Sequence, residues 1–209
     1  MFKDFFKATK KDVEYLREDS EKPIEKAIFN DVVKNAFIDF VKLNTNKNLA
    51  IIGGLALGAW ARSRNTDDVD VMVLSENDID NLEKDLEGVF KRTRKHAFEH
   101  KKTGVEIEII TSGLINGNQK LIKDAIENAK VDEVNGHDIK VVTPKYLIAL
   151  KLSRASDEKN IKHLQDQFDI LSLIKIYGEL DLSDLPLEKH LRDFYETLLE
   201  KSRKLSEKT

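Results

Sequence analysis

The sequence is defined first by what it lacks. It has no cysteine, which excludes a disulfide framework and any thiolate metal site. Three prolines in 209 residues leave room for long uninterrupted helices. No apolar run approaches the roughly 20 residues that cross a bilayer, so no membrane partner is expected. The formal net charge is only −3, with no excess of one sign, so nothing predicts a generic DNA-binding surface. The opening residues, Met1 to Phe6, lack the apolar stretch of a secretory signal, which makes a cytoplasmic location the expectation. No repeat and no low-complexity segment interrupts the chain. What remains is a globular composition, 40% hydrophobic and 35% charged, long enough for one core with a helical appendage.

Helical periodicity appears first. Phe2, Phe5, Phe6, Val13 and Leu16 are spaced for one helix. Ile24, Ala27, Ile28, Val33, Ala36, Phe37, Phe40 and Val41 predict a continuous helix over residues 22–43. Leu49 to Ile52 reads as a buried strand and Leu55 to Ala61 as a helix. Val69, Val71 and Val73 alternate with Asp68, Asp70 and Met72, the pattern of a two-faced strand. Ser75, with Asp78 three residues on, predicts a capped helix. Residues 91–99 and 104–111 read as two arms of a hairpin joined near Gly104. Asn135-Gly136 marks a tight hairpin. Helices are expected from Pro144 to about Ala155, from about Asp157 to Tyr177, and again beyond Leu187. The fold class is α+β: a mixed sheet flanked by helices, with N-terminal helices in 1–44, a core in 45–142 and a helical region in 143–209.

One stretch carries chemistry. Gly53-Gly54 ends a buried strand and opens a helix, where glycine permits close approach and free N–H groups favour phosphate. Asp68 and Asp70, two apart on a strand, project from one face. A later strand offers Glu106 and Glu108 with the same parity. Oxygen-only carboxylate clusters suit Mg²⁺ or Mn²⁺. In the helix after Pro144, Lys151 falls on an apolar stripe, which costs energy unless the ammonium is paired. Its partner is a bound triphosphate, or else Asp166 or Asp169 in the next helix. That helix is expected to bury Ile161, Leu164, Phe168 and Leu171. The five histidines lack metal-ligand spacing and read as surface or hairpin residues, and Trp60 reads as packing.

Gly53-Gly54-Leu55-Ala56-Leu57 followed by Arg64-Asn65-Thr66-Asp67-Asp68-Val69-Asp70-Val71 resembles the signature of DNA-polymerase-β-like nucleotidyltransferases. It is most similar to small stand-alone members of the antibiotic, abortive-infection and toxin–antitoxin types. The resemblance extends from about residue 30 to 175, through Gly104 to Ile110, Val142 to Leu152 and Asp166 to Ile170. It implies transfer of a nucleoside monophosphate from an NTP to a hydroxyl, with two Mg²⁺ or Mn²⁺ ions. Asp68, Asp70 and Glu108 would be catalytic metal ligands, with Glu106 the alternate. Gly53, Gly54, Arg64, Thr66 and Lys151 would meet the nucleotide, and Asp166 and Asp169 would support Lys151 from behind. Two positions depart from the family pattern: Leu55 stands where Ser is frequent, and Glu where the third acid is usually Asp. A catalytically inactive nucleotide-binding or regulatory protein, one component of a toxin–antitoxin pair, is therefore the alternative. The acceptor would be a small molecule, an RNA end or a protein side chain, and a protein partner or homodimer is compatible with either reading.

Overall fold

The structure, a computed structural model, describes residues 23–28, 30–44, 48–61, 66–111 and 118–206. The helix expected over residues 2–18 and the loop residue Arg64 lie outside these. Eight helices and seven strands are present among the described residues. The chain divides into two compact units. One comprises residues 22–59 and 63–143 and contains the sheet. The other is helical, built from residue 144 onward together with Trp60 and Ala61.

In the sheet unit, helices α1 (Ile24–Ala27) and α2 (Asp31–Leu43) come first. The apolar stripe predicted one helix here, but the chain leaves helical geometry at Ile28 and restarts at Asn30. The reason is local. The Asn30 side chain accepts a hydrogen bond from the Val32 backbone N–H, and a capping asparagine begins a helix better than it continues one. Val33, Ala36, Phe37, Phe40 and Val41 then bury one face of α2.

Strand β1 (Leu49–Ile51) leads into α3 (Gly53–Trp60), and β2 (Asp68–Val73) into α4 (Glu76–Asp85). The predicted cap of α4 is present as a capping box, Ser75 with Asp78. Strands β3 (Phe90–Arg94), β4 (Ala97–His100) and β5 (Glu106–Ile110) form a meander. The sequence suggested a single arm over 91–99. Instead the chain reverses at Lys95-His96, where no glycine or asparagine announces a turn, and a register shift between Arg92 and Arg94 breaks the alternation. Helix α5 (Gln119–Glu127) precedes the hairpin β6 (Lys130–Val134) and β7 (His137–Val141). Asn135 and Gly136 both take positive φ, 51° and 78°, as the Asn-Gly turn requires.

The strand order is β3-β4-β5-β2-β1-β7-β6. β2 pairs with β5 in parallel and β1 with β7 in parallel, and the remaining pairs are antiparallel. Helices α2, α4 and α5 pack against β2, and Val69, Val71, Ile107 and Ile109 are fully buried. Burying these four side chains contributes on the order of 1.5–3 kcal/mol each. It fixes the parity of both strands, because a one-residue slip would move the apolar set to the other face.

The helical unit holds α6 (Pro144–Ser156), α7 (His163–Tyr177) and α8 (Lys189–Ser206). Helix α7 begins six residues later than expected. Residues 157–162 form turns in which the Asp157 and Asn160 carboxyl and amide oxygens accept from the N–H groups of Lys159 and Lys162. Ile161 and Leu164, assigned to the core from sequence, are exposed, Ile161 almost completely. Leu171 is buried as expected, and the buried residues of α7 also include Asp166, Asp169, Ile170, Leu173, Ile174 and Ile176. Trp60 packs edge-on against Tyr177, whose hydroxyl donates to the Trp60 carbonyl.

Candidate functional site

Strand parity places Asp68 and Asp70 on one face of β2 and Glu106 and Glu108 on the same face of β5. The parallel register sets Asp68 beside Glu106 and Asp70 beside Glu108. These four side chains are half-exposed, while the valines and isoleucines between them are buried. Among the described residues, Asp68, Asp70 and Glu108 offer carboxylate oxygens that all lie within 4.8 Å of one another. Three acids held that close repel each other unless a cation sits among them. Oxygen donors alone, at partly hydrated positions, fit Mg²⁺ or Mn²⁺ better than a softer metal.

Glu106 is not part of that group. Its carboxylate is paired with the Arg94 guanidinium, which reaches it from β3 across β4. The two glutamates that sequence left as alternatives thus occupy different environments.

Two neighbours hold the aspartates. The Thr66 hydroxyl donates to Asp68 Oδ1 at 2.7 Å, fixing the carboxylate rotamer from the preceding loop. Gly53 acts on Asp70 by its emptiness. It takes φ +63°, and a Cβ at this position would lie 1.7 Å from Asp70 Oδ2. Glycine is therefore required twice, for the backbone and for the space. The adjoining Ile52 N–H donates to the Asp70 carbonyl at 3.0 Å, so the start of α3 and the middle of β2 are tied together. Gly54 is buried directly behind, and Leu55 is only 2% exposed.

The remaining candidates lie in the helical unit. Lys151 is buried on α6, its Nζ 2.7 Å from Asp166 Oδ1 and 2.9 Å from Asp169 Oδ2. Of the two roles open for this lysine, the ion pair is the one present, and it requires no phosphate. Arg154 joins through Nε, 2.8 Å from Asp166 Oδ2, with its side chain half-exposed. Its spacing of three from Lys151 places both on one helix face.

His100 lies in the β4–β5 hairpin, as one of the two readings of the histidines expected, but it is 2% exposed. Its Nδ1 lies 2.7 Å from the Thr103 hydroxyl, and its Nε2 lies 3.4 Å from Asp39 Oδ2. His96 lies 3.0 Å from Glu76 at the start of α4, and Lys95 and Thr111 approach the same carboxylate. The hydrogen bond from His96, with those of Lys95 and Thr111, holds the Glu76 carboxyl below its ordinary range.

No protein-family profile and no curated protein matches the chain. Its fold matches the crystal structure of an antigenic nucleotidyltransferase-like protein from Paracoccidioides brasiliensis, with a TM-score of 0.60 and 22% identity. The match covers 86% of this chain and 93% of that one. At that identity the likeness is one of fold: this chain has a nucleotidyltransferase-like α+β architecture.

Proposed function

We propose that the protein is a metal-dependent nucleotidyltransferase, moving a nucleoside monophosphate from an NTP to an acceptor hydroxyl. The acceptor oxygen forms a bond to the α-phosphorus, the bond from that phosphorus to the β-phosphate oxygen breaks, and pyrophosphate leaves with the electron pair. The acceptor proton passes to a carboxylate or to water. The observation that carries this reading is the cluster of Asp68, Asp70 and Glu108 on a nucleotidyltransferase-like fold, beside a glycine turn opened for close approach.

Divalent ions held by these three acids would lower the acceptor oxygen's pKa and neutralise the leaving pyrophosphate. The chain's own contribution is positioning. Thr66 fixes Asp68, and the missing side chain of Gly53 admits Asp70. Gly53 and Gly54, at the start of α3, offer backbone N–H groups and a positive helix end to the triphosphate. Arg64 is proposed as a further nucleotide contact, whereas Lys151 is held within the helical unit by Asp166 and Asp169.

One observation favours a second reading. Position 55 is leucine, which has no hydroxyl to offer a phosphate, and the third acid is the longer Glu108. A protein that binds nucleotide without transferring it, such as the regulatory half of a toxin–antitoxin pair, would tolerate both. Incubation with each labelled NTP, Mg²⁺ or Mn²⁺ and a cell extract separates the two. Labelled product that disappears in Asp68→Ala and in Asp70→Ala supports transfer. NTP binding with no product across a broad acceptor set supports the second reading.

A further inference from the structure

The site face carries more negative charge than the triad needs. Glu99 of β4 stands beside Glu106, which stands beside Asp68, so one cross-strand row reads Lys91, Glu99, Glu106, Asp68. The neighbouring row reads Arg94, Ala97, Glu108, Asp70. Residues opposite each other in a sheet share a face. Five carboxylates therefore lie on one surface. The two outside the triad each have a cation from edge strand β3, Lys91 for Glu99 at 2.8 Å and Arg94 for Glu106.

The geometry points to Arg94 as a positioning residue that decides how many carboxylates the metal site has. Glu106 is the register neighbour of Asp68, and strands pair about 4.8 Å apart, so an unrestrained Glu106 stands within reach of the same cation. Arg94 draws it toward β3 and leaves three acids. The difference has chemical content. Mg²⁺ keeps several waters and takes one or two carboxylates in a strict octahedron, whereas Ca²⁺ accepts more oxygen ligands in a looser shell. A fourth carboxylate beside Asp68 would favour Ca²⁺, the ion less suited to aligning a phosphoryl transfer. Arg94 thus acts as a guard of metal selectivity at the proposed transferase site. This inference rests on that site holding a divalent cation at all.

The test is calorimetric titration of the whole chain with Mg²⁺ and with Ca²⁺, read as the ratio of the two affinities. Losing a cation from the surface raises the affinity for both ions alike, so the ratio removes that general effect. Arg94→Met is expected to raise the Ca²⁺/Mg²⁺ affinity ratio about tenfold, the lower end of what changes just outside a metal's ligands produce. Glu106→Gln should leave the ratio unchanged, and the double variant Arg94→Met/Glu106→Gln should restore the wild-type ratio. Arg94 is 62% exposed, so the fold should tolerate its loss, and Arg94→Lys, which keeps the charge, should stay near wild type. An unchanged ratio in Arg94→Met, or a double variant that behaves like it, overturns the inference while the metal site stands. Absence of any binding to the wild type overturns both.

Discussion

A methyl group at position 53 would collide with a carboxylate of the site before it met anything else. Gly88 makes the informative contrast, with φ +88° and nothing within 4 Å of an added Cβ. Gly88→Ala should cost only backbone strain, roughly 1–2 kcal/mol in a denaturant titration, and leave transfer activity near wild type. Gly53→Ala carries the same strain and also displaces Asp70, so transfer should fall by at least about 100-fold, as for other misplacements near reacting atoms. Equal activity in the two variants would show that Gly53 serves the turn alone. Sequence made Gly53-Gly54 and the acidic pair visible as neighbours along the chain. It gave no sign that one glycine makes room for one aspartate, because that contact joins a helix start to a strand interior and depends on how the two pack.

Helix α4 is clasped to the β3–β4 turn by Glu76, which receives His96, Lys95 and Thr111. The carboxyl is held below its ordinary value of 4.5, first by the His96 hydrogen bond. A carboxyl depressed in the folded state stabilises above its unfolded value, and that stability is lost as pH falls through the folded one. Stability should therefore hold steady above about pH 4.5 and decline below it, and Glu76→Gln should flatten part of that decline in denaturation midpoints measured from pH 6 down to pH 2. The side chain is 48% exposed, so the change should be modest and should shrink further in high salt. This clasp also explains why the meander was misread. Its turn, Lys95-His96, is set by contacts to a helix some 20 residues away in sequence rather than by turn-forming residues. Elements governed by their own residues, such as the Asn135-Gly136 hairpin and the Ser75 capping box, were legible.

At the scale of the whole molecule, the two compact units can be followed separately. The single tryptophan, Trp60, belongs to the helical unit and packs on Tyr177, so its fluorescence reports that unit. Lys151→Met removes the buried ammonium that Asp166 and Asp169 share, and breaking a buried pair costs roughly 3–5 kcal/mol. The tryptophan-detected urea midpoint should fall accordingly, while Mg²⁺ affinity at the triad stays unchanged. A midpoint that does not move would mean that the cluster contributes little and that Lys151 is kept for a ligand. The outline of the fold was largely readable, because alternation on β2 and β5 and the stripes of α2 and α5 follow from burial. The buried face of α7 was readable only in part: Leu171 is inside as expected, but so are Asp166 and Asp169, while Leu164 is outside and Ile161 lies exposed in the turns before the helix. The parallel pairing of β2 with β5 has a last consequence, in the time order of synthesis. Asp70 acquires Glu108 as a neighbour only through a strand made much later, after the whole β3–β4 hairpin. A ribosome-bound chain that has emerged only through β4 holds the two aspartates without Glu108. A register error of one residue would break up the triad equally, by turning Glu108 inward. The acidic triad is thus completed late and all at once, by a pairing that the core alone can approve.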